Sequence, residues 1–187
     1  MNDEHLRFCA SDEWREAVTK WILPWALTDI DLGPDVIEVG PGPGLTTEEL
    51  RHGVERLTAV ELDVDLASAL RERLAGTNVE VVQADATALP QESDRFSGAV
   101  SFTMLHHVPT AELQDRLFGE LARVLAPGGV LVLSDSLGSD DLRAFHSGDT
   151  YNPVDPATLP ARLDAAGFDG IDVQTNDYGW MAHARKA

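Results

Sequence analysis

A doubly wound α/β domain is the fold this sequence predicts, and three observations predict it. Short apolar runs at 36–39 (mostly β-branched), 57–61, 79–82, 96–101 and 130–133 alternate with amphipathic segments of helical period. That alternation makes a parallel sheet with helices on both faces. The first run passes directly into a glycine-rich turn, Gly40-Pro41-Gly42-Pro43-Gly44, with an amphipathic segment beginning at Leu45. Finally, acids accompany the ends of the first three runs: Glu38, Glu61 and Asp85. In such sheets ligands bind in the crevice beyond the carboxyl ends of the strands.

Taken in order, residues 1–10 carry no clear period. Ser11 reads as an N-cap, with Asp12 and Glu13 complementing the dipole of the helix that follows. Trp14, Ala17, Val18, Trp21, Ile22 and Trp25 share one helical face. That stripe suits docking on the sheet; a lid over a substrate and a membrane-surface helix are the other readings. Pro24 kinks or ends the helix, and Leu32-Gly33-Pro34 turns into the first strand. A helix is expected over 46–52, ended by Gly53, and another over 66–74. Thr110 caps a helix over 111–125 with Leu113, Leu117, Leu121 and Val124 on its inner face, and Ala126-Pro127-Gly128-Gly129 turns tightly into the fifth strand.

Beyond the fifth strand the pattern changes. Residues 134–152 are polar and loop-like, and a helix starting at Asp155 or Thr158 stops at Ala165-Ala166-Gly167-Phe168. Runs at 171–174 and 180–183 close the chain as a hairpin. With no repeat and no linker, residues 1–187 are expected to form one domain. Residues 1–30 serve as a helical docking or lid segment, and 134–156 as a substrate-side loop.

Composition narrows the function classes. A chain of 187 residues that is 43% hydrophobic supports one full core. The net charge of −18 repels phosphate backbones and no basic stripe offsets it, so nucleic acid is not expected as a partner. No apolar run approaches the roughly 18 residues of a membrane span. The N-terminus lacks the basic and apolar regions of a signal peptide, so a cytoplasmic location and no membrane partner are expected. Cys9 is the single cysteine, which excludes an internal disulfide and a cysteine metal site. No histidine pair shows metal-ligand spacing on a helix with a supporting acid, so no metal is expected.

The glycine turn discriminates between ligands by its spacing. A dinucleotide fingerprint requires Gly-x-Gly-x-x-Gly, but Leu45 or Thr47 stands where the third glycine belongs. What is present is acid-x-Gly-x-Gly-x-Gly, from Glu38 through Gly40 and Gly42 to Gly44. A carboxylate beside the loop repels a pyrophosphate and suits an ammonium or sulfonium group. Glu61, about twenty residues further on, stands where doubly wound folds place a ribose-binding acid, and Leu62 can cover an adenine face. Asp85 can accept from an adenine amino group while the Ala86 N–H reaches a ring nitrogen, although read alone Asp85 is equally a turn residue.

The pieces Glu38-Val39-Gly40-Pro41-Gly42-Pro43-Gly44, Val60-Glu61-Leu62-Asp63, Gln83-Ala84-Asp85-Ala86, Leu105-His106-His107-Val108 and Leu125-Ala126-Pro127-Gly128-Gly129 follow one another at intervals that span most of the chain. In order and spacing they resemble the motifs of class I S-adenosylmethionine-dependent methyltransferases of the small, ubiquinone-biosynthesis-like group. The resemblance implies a seven-stranded sheet of order 3-2-1-4-5-7-6 with the last strand antiparallel. Ala166-Gly167-Phe168 is similar to the family's segment before the penultimate strand, whereas Ser97 departs from its usual Asp, at a position read as structural.

The implied activity is methyl transfer from S-adenosylmethionine, leaving S-adenosylhomocysteine, to an O, N or C nucleophile of a small-molecule acceptor, mainly by positioning. The implied cofactor residues are Glu38, Gly40, Gly42, Gly44, Glu61, Leu62, Asp85, Ala86, Ser101 and Phe102. His106 and His107 are candidates for a base or a polar contact at the crevice rim. Adjacent histidines that point opposite ways would leave one of them to pack or cap. His146, Tyr151, Asp135, Tyr178 and Trp180 are secondary candidates, and His5 and Phe8 could close over the cofactor.

The glycine loop also resembles that of ribosomal RNA adenine dimethylases. Their Asn-x-Pro-aromatic tetrad is missing from Ser101-Phe102-Thr103-Met104-Leu105, which leaves RNA a minor alternative. A non-catalytic subunit that binds the cofactor is the other alternative, while Leu45 and Glu38 disfavour a nicotinamide oxidoreductase. A homodimer is kept as an option.

Overall fold

The computed structural model describes residues 2–187, and its centre is a seven-stranded sheet. The strands are β1 (Asp35–Val39), β2 (Arg56–Glu61), β3 (Val79–Gln83), β4 (Phe96–Phe102), β5 (Leu125–Ser136), β6 (Phe168–Thr175) and β7 (Gly179–Lys186). Their order is β3-β2-β1-β4-β5-β7-β6, with β1 to β5 parallel and β7 antiparallel to both its neighbours. This is the expected topology. The order reverses between β1 and β4, which puts the ligand crevice at their carboxyl ends.

Successive side chains of a strand face opposite sides of the sheet, and here both sides are covered. On one side Ile37, Ala99, Leu131 and Leu133 pack with Leu117, Phe118 and Leu121 of α6 (Ala111–Val124) and with Leu159 and Leu163 of α8 (Leu159–Ala165). On the other, Val36, Val100, Val130 and Val132 pack against Val18, Leu23 and Ala26 of the N-terminal helices. α4 (Leu45–Leu50) and α5 (Val64–Arg73) follow β1 and β2. Asp63 caps α5 by accepting from Asp65 N and Leu66 N. Ser97 ties β4 to the start of β1: its Oγ accepts from Asp35 N at 3.0 Å and donates to Asp35 O at 2.9 Å.

Two short helices depart from the sequence reading. Residues Asp3–Cys9 form α1, capped by the Asn2 side chain, which accepts from His5 N at 2.8 Å. Asn2 also donates through its backbone N to Asp149 Oδ2 (2.9 Å) and through Nδ2 to Phe145 O (3.0 Å), so tertiary bonds fix a helix too short to show a period. Inside the stretch expected to be loop, α7 (Asp140–Phe145) forms behind the Ser139 cap, whose Oγ accepts from Leu142 N at 3.1 Å.

The helix begun at Ser11 runs as α2 (Asp12–Ala17), a π-helical turn (Val18–Ile22) and α3 (Leu23–Leu27). Pro24 falls in the first turn of α3, where its missing N–H matters least, and the wide turn before it absorbs the bend. The tryptophan stripe docks on the sheet through Val18, Trp14 and Ile22, but Trp21 is 71% exposed. Among the described residues no helix is long and apolar enough to cross a membrane.

Candidate functional site

A cavity of about 480 Å³ lies beyond the carboxyl ends of β1, β2 and β4. Gly40, Gly42, Thr46, Glu61, Leu62, Asp85, Ala86, Phe102 and His107 contribute to its wall, and His5, Cys9 and Trp14 close it from the N-terminal helices. The sheet supplies the acids and glycines; α1 and α2 supply the cover.

The glycine loop leaves β1 through a Gly40 N to Val60 O bond of 2.9 Å. Gly40, Gly42 and Gly44 all have left-handed φ, of 71°, 55° and 81°. Packing adds a second reason for two of them. A Cβ on Gly40 would lie 2.0 Å from Met104 Cγ, and one on Gly44 2.3 Å from Leu70 Cδ1 of α5. The close approach at these positions is therefore by the protein's own side chains. Gly44 is buried against α5 and does not line the cavity.

Glu61 is the acid of the cavity wall with the most hydrogen bonds to the glycine loop and its surroundings. It is buried, its Oε2 accepts from Gly42 N and its Oε1 from Asp63 N, both at 2.9 Å. Each oxygen thus takes one backbone N–H and keeps a lone pair able to receive a hydroxyl. Beside it Leu62 is 64% exposed, and Gln83 Nε2 holds its carbonyl at 2.9 Å. Asp85 Oδ1 accepts from both Thr87 N and Thr87 Oγ1 at 2.8 Å, and its Oδ2 takes neither bond. An acid with two spare lone pairs, an apolar flank and a second acid fit the ribose and base of an adenosyl group.

Three of the expected cofactor residues stand elsewhere. Gly44 is one; Ser101, fully buried within β4, and Glu38 are the others, and none of the three lines the cavity. Glu38 is 1% exposed and accepts from the Thr46 hydroxyl, and Thr46 does line the wall. Burial pushes the Glu38 carboxyl up to about 7 against the pull of the Thr46 bond, and the nearby Glu61 charge adds to the rise.

Past β4, Thr103 takes a left-handed φ of 51°, a strained conformation for a β-branched residue, and its N–H donates to Ser134 O at 2.7 Å. The 3-10 turn Leu105–His107 then presents both histidines to one place. Their ring centroids lie 4.2 Å apart, so they do not point opposite ways. His107 lines the cavity, whereas His106 is buried behind it. Both Asp135 oxygens hold His106: Oδ1 lies 2.7 Å from Nδ1, and Oδ2 accepts from the backbone N at 3.0 Å. Asp135 therefore fixes the orientation of the His106 ring.

Sequence spacing gave no sign of what stands beside this pair. His146, following α7, and His5, from α1, complete a group of four histidines with a ligating nitrogen of each within 4.8 Å of the others. Burial, and then the neighbouring imidazoles, push His5 down to about 4 and His107 down to about 3; burial lowers His146 as well. A lone His107 is thus a weak base at neutral pH. Tyr151 stacks on His146 at 4.6 Å without lining the cavity. Phe8 packs on Trp14 and Phe145 outside the wall, Tyr178 is 87% exposed, and Trp180 is fully buried in the core.

The sequence matches the family described as "Methyltransferase domain" over residues 36–129. It is 44% identical over 77 residues to an rRNA adenine N-6-methyltransferase of Saccharopolyspora erythraea, covering 38% of this chain and 20% of that protein. It is 32% identical over 124 residues to a demethylmenaquinone methyltransferase of Clavibacter sepedonicus, covering 65% of this chain and 46% of that one. The chain therefore spans less than half the length of either relative. Its backbone is similar to that of an S-adenosylmethionine-dependent methyltransferase from Aquifex aeolicus, with a TM-score of 0.75 over 100% of both chains at 16% identity. A relative named for ribosomal RNA means that net charge alone does not set nucleic acid aside, which corrects that expectation.

Proposed function

The chain belongs to the methyltransferase domain family, and from that premise we propose that it transfers a methyl group from S-adenosylmethionine to a small-molecule acceptor. The observation that carries this reading is the wall of the cavity, which Glu61, Leu62, Asp85 and Ala86 share with His107 and residues of the N-terminal helices. When bound, S-adenosylmethionine supplies an already activated methyl group. The work left to the chain is to hold the acceptor in line, which in favourable cases is worth roughly 7–11 kcal/mol. Glu61 and Asp85 orient the cofactor, while α1 and α2 keep water from the reacting end.

RNA is the second reading, and the relative named for ribosomal RNA favours it. Against it stands the net charge of −18, which repels a phosphate backbone.

Radiolabelled S-adenosylmethionine incubated with the chain, once with a protein-free metabolite extract and once with purified ribosomal RNA, separates the readings. Label in the small-molecule fraction alone is the expected result. Label in RNA overturns the acceptor class. Tight cofactor binding with label in neither fraction overturns turnover and leaves a binding subunit.

A further inference from the structure

His5, His106, His107 and His146 come from α1, the turn after β4 and the end of α7, and nothing in a methyl-transfer site requires four imidazoles in contact. We propose that they form a binding site for a divalent transition-metal ion of the zinc class, which clamps the N-terminal helix to the body of the domain.

The argument begins with the hydrogens. His106 Nδ1 faces Asp135 Oδ1 at 2.7 Å, and His146 Nδ1 faces the Leu142 carbonyl oxygen at 2.6 Å. Both partners are acceptors, so both Nδ1 atoms carry the proton, and each neutral ring keeps its lone pair on Nε2. Those two Nε2 atoms lie 3.1 Å apart. Two lone pairs at that distance repel unless a cation stands between or beside them. The His5 and His107 rings crowd the same place and bring two further nitrogens to it. A metal ion accepts all four lone pairs.

The surroundings match what a ligating imidazole needs. In metal sites the ring nitrogen remote from the metal donates to a carboxylate or a backbone carbonyl, which fixes the tautomer and raises ligand basicity. Asp135 does this for His106 and Leu142 O for His146. His5 Nδ1 is buried with no hydrogen-bond partner among the described residues, and Asp149 Oδ2 lies 4.0 Å away. With metal–nitrogen bonds of about 2.0–2.1 Å, tetrahedral nitrogens stand roughly 3.3 Å apart. The 3.1 Å pair is near that value, and rotamer shifts of about an ångström bring in the remainder, whose nitrogens lie within 4.8 Å. An all-imidazole set selects zinc, copper, nickel or iron over magnesium or calcium.

The test uses the full chain, stripped with chelator and titrated with Zn²⁺ in a calorimeter. About one equivalent bound with a dissociation constant of roughly 1 μM or below is expected. Co²⁺ in its place should give the visible absorption of a tetrahedral nitrogen site. His5→Gln, at a position outside the apolar core clusters, should weaken Zn²⁺ binding by roughly tenfold to a hundredfold. His52→Gln, outside the cluster, should leave it unchanged. Zn²⁺ should also slow amide exchange in residues 2–9 of the native chain. No binding tighter than millimolar by a chain that melts cooperatively overturns the proposal, as does equal affinity in the His5→Gln and native chains.

Discussion

The Glu61 carboxylate on β2 accepts the Gly42 amide of the neighbouring loop at 2.9 Å, so an acid of the cavity wall also sets the shape of the glycine turn. Through its other oxygen it holds Asp63 N, at the entrance to α5. One side chain thus ties together the two strand ends that frame the cavity.

Replacing it should therefore cost binding more than folding. Glu61→Gln keeps the shape but turns an amide N–H₂ toward one of two backbone donors. Hydrogen bonds to charged groups contribute about 1.5–3 kcal/mol, so S-adenosylhomocysteine affinity should fall by about tenfold to a hundredfold. Calorimetric titration checks this, and unchanged affinity would contradict the role given to Glu61.

Gly40 lines the cavity and is also packed against Met104. Gly40→Ala adds a Cβ 2.0 Å from Met104 Cγ and forces alanine to a φ of 71°. The left-handed backbone costs roughly 1–2 kcal/mol and the overpacking about 1–3 kcal/mol. Urea denaturation should show that loss in the single variant and partial recovery in Gly40→Ala/Met104→Ala. A double variant whose loss equals the sum of the two single losses would place the strain elsewhere.

Glu38 makes stability depend on pH. Its carboxyl is raised to about 7 from 4.5 by burial, so its contribution is fully present below pH 4.5 and is lost as pH rises through 7. The size is on the order of 3 kcal/mol, at 1.36 kcal/mol for each unit. Glu38→Gln cannot ionise and escapes the loss. The stability of the variant relative to the native chain should rise between pH 5 and pH 8.5, as read from urea midpoints; a flat difference would mean Glu38 is not desolvated.

Much of this was legible in the chain. Each of the five parallel strands contains a short apolar run, and Gly40, Gly42, Glu61, Leu62, Asp85 and Ala86, at or just past strand ends, line the cavity. Glu38 stays off the cavity wall because it lies inside β1, one residue short of its end, where the Thr46 hydroxyl takes up its carboxylate. α1 and α7 escaped because helices of seven and six residues show no period and hold through caps and tertiary bonds. The histidine group escaped for a different reason. Its members are spread from position 5 to position 146, and only the docking of α1 and α7 brings them together.

The most direct measurement is a thermal melt of the full chain with S-adenosylmethionine, S-adenosylhomocysteine and NAD in parallel. At a hundred times its dissociation constant a ligand stabilises by about 2.7 kcal/mol, a readily visible rise in melting temperature. Stabilisation by the two adenosyl sulfur compounds and not by NAD is the predicted result. Stabilisation by NAD alone, or by none of the three, would contradict the reading of the cavity and, with it, the methyltransferase function.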